Sequence, residues 1–170
     1  RLPCRPGRAA PRRPPAPRGD QPPGQQPVNP ATPHDVQALW RGACVEIELG
    51  TESHSYYQIA VSPTGAIVDL DRGAPKGQWF GWDSKAEVAT QIGDGYWTIE
   101  IRIPVTEDEN DPLHQVIGRK PTQSLPWHIN ICRQRMRDNG TELSALSPTG
   151  TGAFHEPRKF AYFYHGPSHH

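Results

Sequence analysis

The chain has 170 residues, room for one ordinary domain or a domain plus a tail and too little for two full cores. Lysine plus arginine and aspartate plus glutamate each total 18, only 34% of residues are apolar, and no run approaches the roughly 18 apolar residues of a membrane helix, so a spanning helix is excluded. The neutral total hides an asymmetry: residues 1–33 carry six arginines against Asp20 alone, a net +5, which leaves −5 for the remainder. The chain starts at Arg1 with no apolar signal core, so processing or truncation is expected to have removed an earlier start.

Eleven of the first 33 residues are proline, and the first aromatic is Trp40. Residues 1–33 therefore read as a disordered tail or linker with nothing to bury. Arginine charge alone can attract nucleic acid, but no aromatic is interleaved to stack on bases, so no nucleic-acid partner is expected.

A domain follows over 34–164, with a frayed end at 165–170. It reads as short β-branched and aromatic runs separated by turn residues. In Ala43 to Leu49, Val45, Ile47 and Leu49 alternate with Cys44, Glu46 and Glu48, giving one apolar and one polar strand face. Tyr56 to Ser62 ends in Ser62-Pro63-Thr64-Gly65, a turn with proline at the fixed-φ position, and Ala66 to Leu70 completes a hairpin. Glu87 to Ile92 leads through Gly93-Asp94-Gly95 into Tyr96 to Ile103, where Trp97, Ile99, Ile101 and Ile103 share a face and Pro104 ends the strand. Trp127 to Arg133 and Arg158 to Tyr164 are the remaining strands. No sustained 3.6-residue period occurs, and the expected fold is all-β: an antiparallel sandwich of two sheets, of jelly-roll or immunoglobulin-like architecture.

Most sites of chemistry find little support. Three cysteines make no disulfide framework or zinc motif; Cys44 and Cys132 fall on polar strand faces, where one bridge between them is conceivable and two buried free thiols are the ordinary outcome. There is no HExxH or paired-histidine spacing for zinc, and Met136 is the only methionine available for methionine-ligated haem. Glu107-Asp108-Glu109-Asn110-Asp111 offers oxygen ligands for a structural calcium ion, yet lacks a fixed ligand spacing, and a solvated charged loop is the plainer reading. No GxSxG occurs; glycoside hydrolysis would need a carboxyl pair such as Glu46 and Glu100, and paired strand glutamates are commonplace. No cofactor and no catalysis are expected. The aromatics say more. Trp79, Phe80 and Trp82 crowd into GQWFGW, and Trp40 precedes the first strand with Glu46 six residues on, so its ring either caps the core or offers a π-face to a sugar with a carboxylate nearby.

The order WRGACVEIEL (40–49), YYQIAVSPTGAIVD (56–69), GYWTIEIRIP (95–104), WHINICR (127–133), LSPTG (146–150) and FHEPRKF (154–160) resembles the family 9 carbohydrate-binding modules and their DOMON-like relatives over roughly 40–164. The resemblance implies a β-sandwich that binds saccharides, often at chain ends, with a sugar ring held between two tryptophans. It makes Trp40 one aromatic wall, Glu46 the carboxylate accepting sugar hydroxyls, Arg133 a guanidinium donor and Gln58 a second polar donor. The chain departs from the pattern twice: Leu146 stands where the family commonly has the second tryptophan, and Pro/Arg sequence stands where its first strands lie. The expected function is non-catalytic recognition of a plant-type or microbial polysaccharide such as xylan or cellulose, outside the cytoplasm, extracellular or periplasmic, as an accessory module linked to a catalytic domain. The alternatives are a scaffold or interaction sandwich whose sugar site has decayed behind Leu146, and a small glycoside hydrolase.

Overall fold

The computed structural model describes residues 39–113 and 115–166; the Pro/Arg tract 1–33, Cys4 and positions 167–170 of the expected frayed end lie outside the described residues. Among the described residues ten strands follow in chain order: β1 (Cys44–Gly50), β2 (Tyr57–Val61), β3 (Ile67–Asp71), β4 (Glu87–Ile92), β5 (Trp97–Arg102), β6 (Val105–Thr106), β7 (Val116–Ile117), β8 (Trp127–Arg137), β9 (Gly140–Ala145) and β10 (Ala161–Phe163). The main antiparallel sheet runs β10-β8-β1-β2-β3, with β9 also paired to β8. The hairpin β4-β5 and the short parallel pair β6-β7 form two smaller sheets, and the whole is an all-β, sandwich-like fold.

Turn chemistry sets the register. Gly65 N donates to Ser62 O at 3.0 Å, and Gly65 holds φ +82°, so the Pro63-Thr64 turn closes β2 onto β3. Val45 then stands opposite Val61 and Arg133, Ile47 opposite Ile59 and Ile131, and Leu49 opposite Tyr57 and Ile129. The other face carries Cys44, Glu46 and Glu48, with Ala60 and Gln58 on one side and Cys132 and Asn130 on the other.

Both faces are covered. Leu49, Tyr57, Val116 and Trp127 pack on the first with Trp82, Ile103 and Ile129, which seats the β6-β7 pair against the main sheet. Gly118 makes this possible, since a Cβ there would stand 2.8 Å from the Thr51 side chain. On the second face Leu39, Cys44, Ala60, Val68 and Leu70 cluster under Trp40 and Trp79. Each such aliphatic side chain contributes on the order of 1.5–3 kcal/mol by burial. The polar face expected for β1 is therefore polar in composition but not in solvation: Glu46 is 4% exposed and Glu48 wholly buried. Leu39 and Trp40 from the segment before β1, and Trp79, pack on this face, where Val68 and Leu70 of β3 stand beside Ala60 and Gln58.

The strand β8 runs four residues beyond the expected Arg133, and β6, β7 and β9 were not foreseen. Gln134, Arg135, Met136 and Arg137 have no apolar alternation; backbone pairing with β9 extends the strand there. The last strand begins at Ala161 because Pro157–Lys159 forms a 3-10 turn, for which proline at the start is suited and a strand ladder is not.

Candidate functional site

The second face of the main sheet concentrates the polar chemistry of the domain. Glu46 accepts from Trp40 Nε1 at 3.0 Å through Oε1 and from Gln58 Nε2 at 2.6 Å through Oε2. Gln58 in turn accepts from Arg72 Nε at 2.7 Å. The Arg72 guanidinium lies 4.5 Å from the centre of the Trp79 ring, a cation–π contact, and its Nη2 donates to His155 Nε2 at 3.2 Å. Because arginine only donates, His155 Nε2 is the acceptor, and the neutral ring carries its proton on Nδ1. That nitrogen faces Glu48 Oε1 at 3.5 Å. Hydrogen bonds thus connect Trp40, Glu46, Gln58, Arg72 and His155, with indoles at Trp40 and Trp79, and Glu48 lies 3.5 Å beyond the ring without a hydrogen bond of its own among the described residues.

Local structure fixes each member. Trp40 is held by Gln134 Nε2, which donates to Trp40 O at 2.7 Å and Gly42 O at 2.8 Å. Glu46 and Glu48 are alternate residues of β1, and Gln58 stands opposite Glu48 on β2. Arg72 follows β3, where its N–H donates to Tyr56 O at 3.1 Å. His155 comes from the loop after β9, which wholly buried Asn130 clamps: Nδ2 donates to Ser147 O and Oδ1 accepts from Ser147 N, both at 2.9 Å.

Burial governs the ionisation. It pushes Glu48 up to about 8, with the Glu46 charge acting in the same direction and Arg72 against it. Glu46 is also raised by burial, although the bonds from Gln58 and Trp40 oppose the effect. Burial and then Arg72 lower His155, which keeps its ring neutral near pH 7. The Cys44 and Cys132 thiols are both free, and burial drives each up to about 12, which makes them poor nucleophiles.

Of the four residues the resemblance points to, Trp40, Glu46 and Gln58 come together. Arg133 does not. It lies opposite Val45 in register and so projects to the other face, where with Val45, Gly95, Tyr96, Trp97 and Ile99 it lines a cleft of about 240 Å³. Arg72 supplies the guanidinium beside Glu46 and Gln58 instead. Glu48, Arg72, Trp79 and His155 were not assigned to a site; the β2-β3 hairpin signal was the one cue for Arg72, since closing that turn brings the end of β3 beside Gln58. Leu146 N donates to Ile131 O at 2.8 Å, which continues the β8-β9 ladder and sets Leu146 beside Ile131, away from the Glu46 face. Glu100 is an exposed residue of β5, whose Trp97 and Ile99 share a cleft with Val45, so it is not brought to Glu46. In the 107–111 loop Asp108 Oδ1 accepts from Asn110 N and Asp111 Oδ1 from Leu113 N, turns in which the carboxylates serve their own backbone.

Among the described residues no helix is long and apolar enough to cross a membrane. No family model, no curated protein and no solved structure matches the chain.

Proposed function

We propose that this domain is a non-catalytic carbohydrate-binding module, acting outside the cytoplasm on a polysaccharide such as xylan or cellulose, as an accessory to a linked catalytic domain. The observation that carries the reading is the Trp40–Glu46–Gln58–Arg72–Trp79 array, in which one indole bonds the carboxylate and another lies against the guanidinium. Sugars need that combination. Vicinal hydroxyls take paired bonds from charged planar groups, and the C–H face of the ring takes an aromatic surface. Pre-positioning by Gln58 and Trp79 lowers the entropy lost when Arg72 engages a ligand.

The test is a calorimetric titration of the chain with cellobiose, xylobiose and their alditols. The reading predicts heat of binding with the sugars, its loss with Arg72→Ala, and loss with the alditols if chain ends are the target. A cooperatively melting protein that gives no heat with any of these sugars would sink it. One observation favours a scaffold or interaction sandwich with a decayed site: Glu46 is 4% exposed and Gln58 wholly buried, so a ligand meets Arg72 and the aromatic rims before either acceptor.

A further inference from the structure

Glu48 is the residue of this face that the saccharide reading leaves unused. Its side chain is wholly buried, and neither carboxylate oxygen has a hydrogen-bond partner among the described residues. A carboxylate taken out of water without hydrogen bonds costs several kcal/mol even after relaxation, and native folds satisfy nearly all such groups. The surroundings are suited to one form of compensation. Glu46 lies two residues earlier on the same strand face, and His155 reaches in from the loop after β9. One donor atom from each of the three lies within 4.8 Å of the other two. Donors held about 2.1 Å from a single ion stand roughly 3 to 3.5 Å from one another, as the tetrahedral and octahedral arrangements require. Binding therefore requires the donors to close by about an ångström, and the His155 ring lies on the exposed side of the cluster.

The donor set selects the ion. One imidazole nitrogen with two carboxylate oxygens suits a first-row divalent metal, whereas calcium is taken by oxygen ligands alone.

We propose that Glu46, Glu48 and His155 form a binding site for one first-row divalent cation, zinc foremost, with its remaining coordination position open to solvent on the His155 side. The site does not depend on the saccharide reading. Ligation through Nδ1 displaces the proton that the ring carries there, and the neutral ring then holds its proton on Nε2. Arg72 donates to Nε2 in the metal-free form, so it must release the ring while its Nε stays on Gln58. Arg72 is thus a competitor of the ion, by charge and by the ring proton it enforces.

The experiment uses the full chain, stripped with EDTA, dialysed, and titrated with zinc chloride by calorimetry in the absence of sugar. Cobalt(II) absorption reads the coordination. One equivalent should bind and raise the melting temperature. Glu48→Gln and His155→Ala should each weaken zinc by about tenfold or more, the scale on which such sites respond to loss of a partner, and Arg72→Ala should tighten it. Glu48→Gln keeps the shape of the buried side chain and removes no hydrogen bond, so its melting temperature in EDTA should match that of the parent, which separates lost binding from lost fold. His165, His169 and His170 offer a terminal zinc trap, and the titration is repeated with all three changed to alanine. No binding at millimolar zinc, binding untouched by Glu48→Gln, binding that vanishes with the terminal histidines, or weaker binding in Arg72→Ala would each overturn the proposal. Sugar titrations run in EDTA report on the saccharide reading separately.

Discussion

Trp40 and Glu46, six residues apart and in different local structure, are joined by a 3.0 Å hydrogen bond from the indole Nε1 to the carboxylate Oε1. The bond ties the segment before β1 to the centre of the main sheet, and it settles what the tryptophan does in the fold. Trp40 is both a partial cap on the Leu39–Cys44–Ala60–Val68–Leu70 cluster and a donor to a buried acceptor. Trp40→Phe keeps most of the packing and deletes only the donor. Hydrogen bonds to charged groups contribute about 1.5–3 kcal/mol, so a loss of that order is expected in urea denaturation. Trp40→Ala adds the lost packing and should cost more. Equal stability of Trp40→Phe and the parent would mean that the bond contributes nothing net.

Asn130 is wholly buried and makes two 2.9 Å bonds to the backbone of Ser147, which fasten the start of the loop that carries His155. Asn130→Ala leaves two backbone groups without partners and opens a small cavity. The expected loss is about 2–4 kcal/mol. Hydrogen exchange should show the loss of protection concentrated at 146–156; a uniform change across the sheet would argue against the clamp.

Glu52 provides the clearest acid sensitivity. Its burial alone would raise the carboxyl, but backbone bonds, chiefly from Arg119 N at 2.6 Å, together with Trp127 Nε1 at 3.1 Å, hold it below the usual range. A folded value below the unfolded one means that the unfolded chain binds more protons in that window. The stabilisation is complete above the ordinary glutamate range and disappears as pH falls through the lowered folded value. Glu52→Gln should therefore flatten the acid limb of the melting-temperature profile and leave the profile above pH 6 displaced by a constant amount. A variant with the same acid limb as the parent would assign acid lability to other carboxyls.

The alternation of Val45, Ile47 and Leu49 against Cys44, Glu46 and Glu48 made β1 and its two faces legible in the sequence, and Ser62-Pro63-Thr64-Gly65 made the β2-β3 hairpin legible. The solvation of the second face was not, because period 2 tells which residues share a side and not what packs over it. Leu39, Trp40 and Trp79 decide that, and they lie outside the strands of the main sheet. The strand β9 carried a signal in Asn139-Gly140: Asp138-Asn139 is a two-residue hairpin loop, and Gly140 after it holds φ +135° and pairs with Arg137. Arg133 illustrates the limit of motif transfer. It lies three residues after Asn130, an odd step, so the two side chains take opposite faces, and only the register with Val45 shows which face is which.

Leu146 follows the same logic. Its place beside Ile131, with 61% of its surface exposed, puts it off the Glu46 face. Leu146→Trp should leave both saccharide binding and stability within about 0.5 kcal/mol of the parent, as surface substitutions away from special features do. A clear gain in sugar affinity would mean that this loop turns its side chain to the Glu46 side.

Two arginines on opposite faces offer the decisive comparison. Arg72 links Gln58, Trp79 and His155, whereas Arg133 lines the cleft with Tyr96 and Trp97, which is also an aromatic wall beside a guanidinium. Saccharide binding on the Glu46 face requires Arg72→Ala to abolish the heat of titration and Arg133→Ala to leave it unchanged. Arg72→Ala also removes a cation–π contact of about 0.5–2 kcal/mol and a partner of Gln58, so its melting temperature must be measured beside the titration. Arg72→Lys helps to separate the two effects: it keeps the charge over Trp79 but has no planar fork for Gln58, His155 or paired hydroxyls, so it should retain more stability than affinity. The opposite pattern, with binding lost in Arg133→Ala and kept in Arg72→Ala, would move the ligand to the cleft between β5 and the main sheet and leave the Glu46 face as structure alone.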